Sequence, residues 1–124
     1  MGIYLNPGFN NFNEDKQLIN FIDKSMIIKQ LNYGMKIKNK LICTSCPRRF
    51  GKTMAANMIA AYYSKGCDSH EVFSDLKISK DPSFEENINK YNVLFIDCAG
   101  MYNNKPDDYT LVKMITESVV KEFR

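Results

Sequence analysis

The chain has 124 residues, of which 44% are hydrophobic and 25% charged, which describes one ordinary globular domain or part of one. Its 17 basic and 14 acidic residues leave a net charge of +3, too small to argue for a nucleic-acid or acidic-membrane partner. No apolar run approaches the roughly 18 residues a membrane helix needs, and no basic-then-apolar leader opens the chain, so the expected location is the cytoplasm. Met1-Gly2 is a poor myristoylation start, because position 6 is Asn.

In chain order, the first dozen residues, rich in Asn, Gly and Pro, read as loop. Residues 14–34 carry a helical pattern broken near Asp23-Lys24-Ser25. Ser25 is placed to cap a helix holding Met26, Ile27, Ile28 and Leu31, with Gly34 ending it. Lys40–Ser45 is short, apolar and β-branched, as a buried strand would be. A loop follows, then an apolar helix from about Lys52 to Lys65 closed by Gly66. Two short helical pieces around Val72-Phe73 and Phe84–Ile88 flank Asp81-Pro82. Asn92–Cys98 is the second expected strand, and a polar loop at Tyr102–Asp108 leads to a last helix. There Leu111, Ile115, Val119 and Phe123 share one face. The order of elements predicts an α/β unit with a parallel sheet.

The four cysteines Cys43, Cys46, Cys67 and Cys98 lack a second C-x-x-C or a histidine pair, since His70 is the sole histidine. They read as reduced thiols serving as small core residues. His70, Tyr62 and Tyr63 read as surface and packing residues, not catalytic ones.

The chemistry sits at Cys46-Pro47-Arg48-Arg49-Phe50-Gly51-Lys52-Thr53. From Gly51 onward this satisfies the phosphate-loop pattern G-x-x-x-x-G-K-[ST] between a strand and a helix. Backbone N–H groups at the helix start, from Pro47 to Met54 (Pro47 itself having none), would face the phosphates, favoured by the helix dipole. Lys52 is expected to reach the β- and γ-phosphates, and the Thr53 hydroxyl to ligate Mg2+. Gly51 would let the backbone approach closely, and Arg48 and Arg49 would add positive potential over the polyphosphate. The first glycine of the pattern is absent, with Cys46 in its place. The ligand this chemistry implies is ATP with Mg2+.

The run T-S-C-P-R-R-F-G-K-T-M-A-A-N-M-I-A-A-Y-Y-S-K-G-C-D-S resembles the signature of bacterial AAA-ATPase-like proteins, whose loop is R-P-R-R-F-G-K-[ST]. The resemblance takes in G-I-Y-L-N-P-G at the start, Ile22-Asp23-Lys24-Ser25 in place of a V-D-K-T box, and F-S-D-L-K-I-S-K-D-P-S-F-E at 73–85. That family also dispenses with the first loop glycine, but carries Arg where Cys46 stands. It implies a three-layer P-loop NTPase sandwich of AAA type with a parallel sheet, incomplete in this chain. Residues 1–39 would be a lead-in and 40–124 the truncated core. In the family the segment equivalent to Val93–Asp97 precedes the true Asp-Glu strand, so Asp97, followed by Cys98, is expected to lack a catalytic role. The resemblance also implies that Phe21, Ile22 and Lys24 form a wall against the adenine. A C-terminal nuclease-like domain is common in longer relatives, and it or a second copy of the chain is left open as partner.

Three functions follow from these residues. The first is the N-terminal, nucleotide-binding part of an ATPase that hydrolyses only with its remaining strands. The second is a non-catalytic nucleotide-binding or interaction module. The third is a small phosphotransferase, for which 124 residues leave little room for a lid.

Overall fold

The computed structural model describes residues 4–19, 21–38, 41–43, 51–98, 103, 107 and 110–123. Its elements are α1 (Asn10–Lys16), α2 (Met26–Met35), α3 (Lys52–Tyr63), α4 (His70–Phe73), a 3-10 turn (Lys77–Lys80), α5 (Phe84–Asn87) and α6 (Leu111–Phe123). The expected three-layer α/β sandwich with a parallel sheet is not formed: among the described residues the architecture is helical, with two isolated β-bridges and no strand.

The reason lies in where the strand-like segments find partners. Around residues 91–95 the backbone bonds to two non-strand neighbours. Tyr91 N donates to Tyr63 O at 3.0 Å and Lys65 N donates to Tyr91 O at 3.0 Å, a one-residue parallel bridge to the end of α3. Phe95 N donates to Tyr4 O at 2.7 Å and Asn6 N to Val93 O at 2.7 Å, a one-residue antiparallel bridge to the first turn of the chain. The other expected strand does not form at its described positions, where Leu41 is 99% exposed and Ile42 58%. A β-branched run becomes a strand only where a neighbour covers its face and pairs its amides.

The hydrophobic centre is built on α3, whose Met58, Ala61, Tyr62 and Tyr63 are buried with Phe12, Ile28, Val72, Phe73, Leu76, Ile78, Phe84 and Ile88. Small residues at Ala60 and Ala61 sit on the buried side of α3, against which α1 packs. Aromatic rings interlock there. Phe12 stacks on Phe73 at 5.1 Å, and Tyr62 meets Tyr63, Phe73 and Phe84 with centroids 4.7 to 5.7 Å apart. Lys16, last in α1, donates to Val72 O and pairs with Asp75 at 2.7 Å, tying α1 to the end of α4.

The C-terminus of α3 shows why the helix stops. Its last four carbonyls need donors from outside the helix. Ala60 O accepts from Ser64 Oγ at 2.6 Å, Ala61 O from Ser69 Oγ at 2.7 Å, Tyr62 O from Asn89 N at 2.7 Å and Tyr63 O from Tyr91 N at 3.0 Å. Gly66 then turns the chain at φ +85°. Asn89 takes φ +56°, a conformation Asn tolerates, and its Nδ2 donates to Ser64 O at 2.9 Å.

Two helix boundaries differ from expectation. α1 begins at Asn10, inside the stretch read as loop, and Gly34 lies within α2, not after it. The N-terminal segment is also held by α6: Tyr4 N and Leu5 N donate to Glu122 Oε2 at 2.8 and 2.5 Å. Among the described residues no helix is long and apolar enough to cross a membrane.

Candidate functional site

Gly51 sits immediately before α3 with φ +85° and ψ +21°, the left-handed conformation that an L side chain resists. Its carbonyl accepts the first helical bond, from Ala55 N at 2.9 Å. The N–H groups of Lys52, Thr53 and Met54 have no carbonyl one turn earlier to bond within the helix. Among the described residues no side-chain hydrogen bond caps this end, and its first turn holds no acid. Lys52 and Thr53 are exposed, while Gly51 and Met54 are half-buried. The donor set suits a polyphosphate with Mg2+: amide dipoles, an ammonium, and a hard hydroxyl oxygen on adjacent positions. Pro47, Arg48, Arg49 and Phe50, expected in the same site, lie outside the described residues.

A cation from elsewhere in the sequence joins this turn. A Cβ built on Gly51 would lie 3.0 Å from Lys24 Nζ, so the ammonium lies close to the bare face of this glycine. Lys24 is held by its neighbours. Asp23 Oδ1 accepts from Ser25 N at 2.8 Å and Asp23 Oδ2 from Lys77 N at 2.9 Å. Ser25, fully buried, makes no side-chain cap to α2; its Oγ accepts from Ile78 N at 3.2 Å. Burial alone would raise the Asp23 carboxyl, but these hydrogen bonds and the nearby Lys77 charge outweigh it and hold the group below its ordinary value.

The expected adenine wall divides. Phe21 is half-buried against the core, edge-on to Phe12 at 6.1 Å, and Ile22 is 69% exposed. Lys24 alone of the three reaches the start of α3. Nothing in the local sequence signals this, because the approach joins positions 27 residues apart through the packing of α2.

Asp97 is exposed and lines a cleft of about 160 Å3 with Tyr4, Asn11, Asn57, Ala60 and Phe95. Asn57 lies one helical turn beyond Thr53, and neither Lys52 nor Thr53 lines this cleft. Asp97 therefore sits beside the middle of α3. Tyr62 and Tyr63 are core residues as read from the sequence, and burial pushes the Tyr62 phenol up to about 12 and Tyr63 higher still. His70 is on the surface, its Nδ1 2.5 Å from Asp68 and its Nε2 3.0 Å from Glu85, and hydrogen bonds to these carboxylates raise its pKa. The described thiols depart from the core role expected of them, since Cys43 and Cys98 are exposed and Cys67 is half-buried; Cys46 lies outside the described residues. No cluster of three or more His, Cys, Asp or Glu suited to a metal occurs among the described residues.

Among the described residues the longest buried helix thus opens on a left-handed glycine and an exposed Lys-Thr pair. Residues 7–124 match the family model AAA-ATPase-like, described as predicted AAA-ATPase, and the chain belongs to that family. Comparison with curated proteins and with solved structures gives no match.

Proposed function

We propose that the chain binds a nucleoside triphosphate with Mg2+, ATP foremost, at the start of α3. The observation that carries this reading is the left-handed Gly51 directly before an exposed Lys52-Thr53 pair, at a helix start that no described side chain caps. Lys52 donates to the terminal phosphates, Thr53 offers its hydroxyl to Mg2+, and the amides of the turn through Met54 take the remaining charge. Arg48 and Arg49 belong to the same loop by sequence. Membership of the AAA-ATPase-like family supports the choice of ATP over other polyanions.

The proposed role is binding. Hydrolysis needs a carboxylate that positions water, and Asp97, which faces Asn57 and is followed by Cys98, is not assigned that task. The test is calorimetric titration of MgATP into the wild type and Lys52→Ala. A lysine–phosphate contact is worth about 1.5–3 kcal/mol, so affinity is expected to fall about 10- to 100-fold. Equal affinity in the two proteins would refute the assignment.

A further inference from the structure

We propose that the outer edge of the segment Asn92–Ile96 is a pairing surface for a second copy of this chain, the two edges meeting antiparallel about a two-fold axis at Leu94. The proposal is independent of the nucleotide reading and concerns a different part of the molecule.

The backbone of this segment is used on one side. Val93 O accepts from Asn6 N at 2.7 Å, Val93 N donates to Asn6 Oδ1 at 2.7 Å, and Phe95 N donates to Tyr4 O at 2.7 Å. In an extended chain, alternate residues turn their N–H and C=O groups to opposite edges. Asn92, Leu94 and Ile96 therefore present theirs to the other edge, and among the described residues these backbone groups have no hydrogen-bond partner. Asn92 and Leu94 are exposed, Leu94 by 49%. Edges that stay single are guarded by proline, lysine or other charge. Asn92-Val93-Leu94-Phe95-Ile96 carries none of these.

What fits such an edge is extended backbone with uncharged, apolar side chains, and the segment itself has that character. With Leu94 opposite Leu94 of the second copy, the two residues exchange a pair of hydrogen bonds, and Asn92 of each copy exchanges another pair with Ile96 of the other. All three open positions are satisfied in that single register. Val93 of each copy comes opposite Phe95 of the other, a favourable β-branched and aromatic cross-strand pair. Charge agrees: Asp97 comes opposite Tyr91, which sets the two Asp97 carboxylates at opposite ends of the ladder, about 20 Å apart. The inner edge is already taken by Tyr4 and Asn6, so pairing closes at two chains instead of growing. A ladder this short buries less than the roughly 1,200 Å2 of a stable interface, so the expected dimer is weak, half formed near about 100 µM.

Sedimentation equilibrium and amide hydrogen exchange by NMR on the full chain test this. The mass is expected to rise toward twice the monomer between about 10 µM and 1 mM, and the Leu94 and Ile96 amides to exchange more slowly over the same range. Leu94→Lys and Leu94→Glu each set like charges directly opposite and are expected to weaken the dimer at least about tenfold, whereas an equal mixture of the two should recover it. Val112→Lys, at a residue 74% exposed on α6, is expected to leave the dimer unchanged. A chain still monomeric at about 1 mM, a dimer whose Leu94 amide exchanges freely, a mixture no stronger than its separate variants, or equal loss in Val112→Lys would each overturn the proposal. Should the Leu94 variants fail to fold, the exchange measurement on the wild type, which needs no substitution, decides it.

Discussion

Tyr62 and Tyr63 are adjacent, buried and chemically identical, yet loss of their hydroxyls should cost different amounts. Asn32, 1% exposed on α2, connects them. Its Nδ2 donates to Tyr62 Oη at 3.2 Å and to Ser83 Oγ at 3.1 Å, and its Oδ1 accepts from Tyr63 Oη at 2.5 Å. In Tyr62→Phe the two carbonyls left behind keep other partners, and of the two Asn32 Nδ2 hydrogens only one loses its acceptor. Asn32 Nδ2 keeps Ser83 Oγ, Phe84 O keeps Ile88 N at 3.2 Å, and Ser83 O keeps Asn87 Nδ2 at 3.0 Å. The expected cost is about 1–2 kcal/mol, for one long hydrogen bond lost and one amide N–H left without its acceptor. Tyr63→Phe instead removes the donor to Asn32 Oδ1, leaving a buried amide oxygen unsatisfied, at a cost of about 2–3 kcal/mol. The double variant Asn32→Leu with Tyr63→Phe removes both partners and should cost less than the sum of its single changes. The chain has no tryptophan, so urea unfolding followed by far-UV circular dichroism is the suitable assay. Tyr62→Phe costing as much as Tyr63→Phe, or strict additivity in the double variant, would refute the reasoning.

Three further outcomes follow from the same geometry. The folded pKa of Tyr62 is raised by burial to about 12, above the ordinary value of 10, so its contribution to stability is complete below pH 10 and is lost as pH rises toward 12. Alkaline melting curves should show that decline, and Tyr62→Phe should flatten it. His70, raised by its bonds to Asp68 and Glu85, stabilises below the ordinary histidine value and loses this as pH rises through its folded value. His70→Gln should therefore lower the melting temperature at pH 5.5 and leave it unchanged at pH 9. Gly51→Ala places an L side chain at φ +85° and should cost about 1–2 kcal/mol. MgATP affinity measured by titration should drop more in this variant than in Gly66→Ala, which lies outside the proposed phosphate site and where a Cβ meets nothing within 4 Å.

The parts of the fold legible in the sequence are those decided by local chemistry. The Lys52–Tyr63 helix stands between Gly51 and Gly66, and the short helices on either side of Asp81-Pro82 are separated by that dipeptide. The last helix shows its period across Leu111, Ile115 and Val119. What was not legible depends on distant partners. Val93 and Phe95 have strand-like chemistry, but their segment bonds to the first turn of the chain and to the end of α3. Ser25 has the chemistry of a helix cap, yet its hydroxyl serves Ile78. Nothing local to Asn32 marks it for burial; the hydroxyls of Tyr62, Tyr63 and Ser83 arriving from elsewhere make it a core residue. The site follows the same rule. Gly51, Lys52 and Thr53 were legible as a contiguous motif, whereas the position of Lys24 beside them depends on how the Asp23–Ser25 segment is anchored to the 3-10 turn.

The bonds from Tyr4 and Leu5 to Glu122 join positions 118 and 117 apart in sequence, which gives them a distinct place in time. Closing a flexible loop of that length costs about 4 kcal/mol of chain entropy, which offsets most of what these part-buried bonds to one carboxylate return. The contact gains its full strength only after the Phe12–Ile88 core has shortened the effective loop. It therefore belongs on the native side of the folding barrier, where an interaction slows unfolding without hastening folding. The clasp between the first turn and the last helix acts as a kinetic latch, governing how long the native state persists once formed.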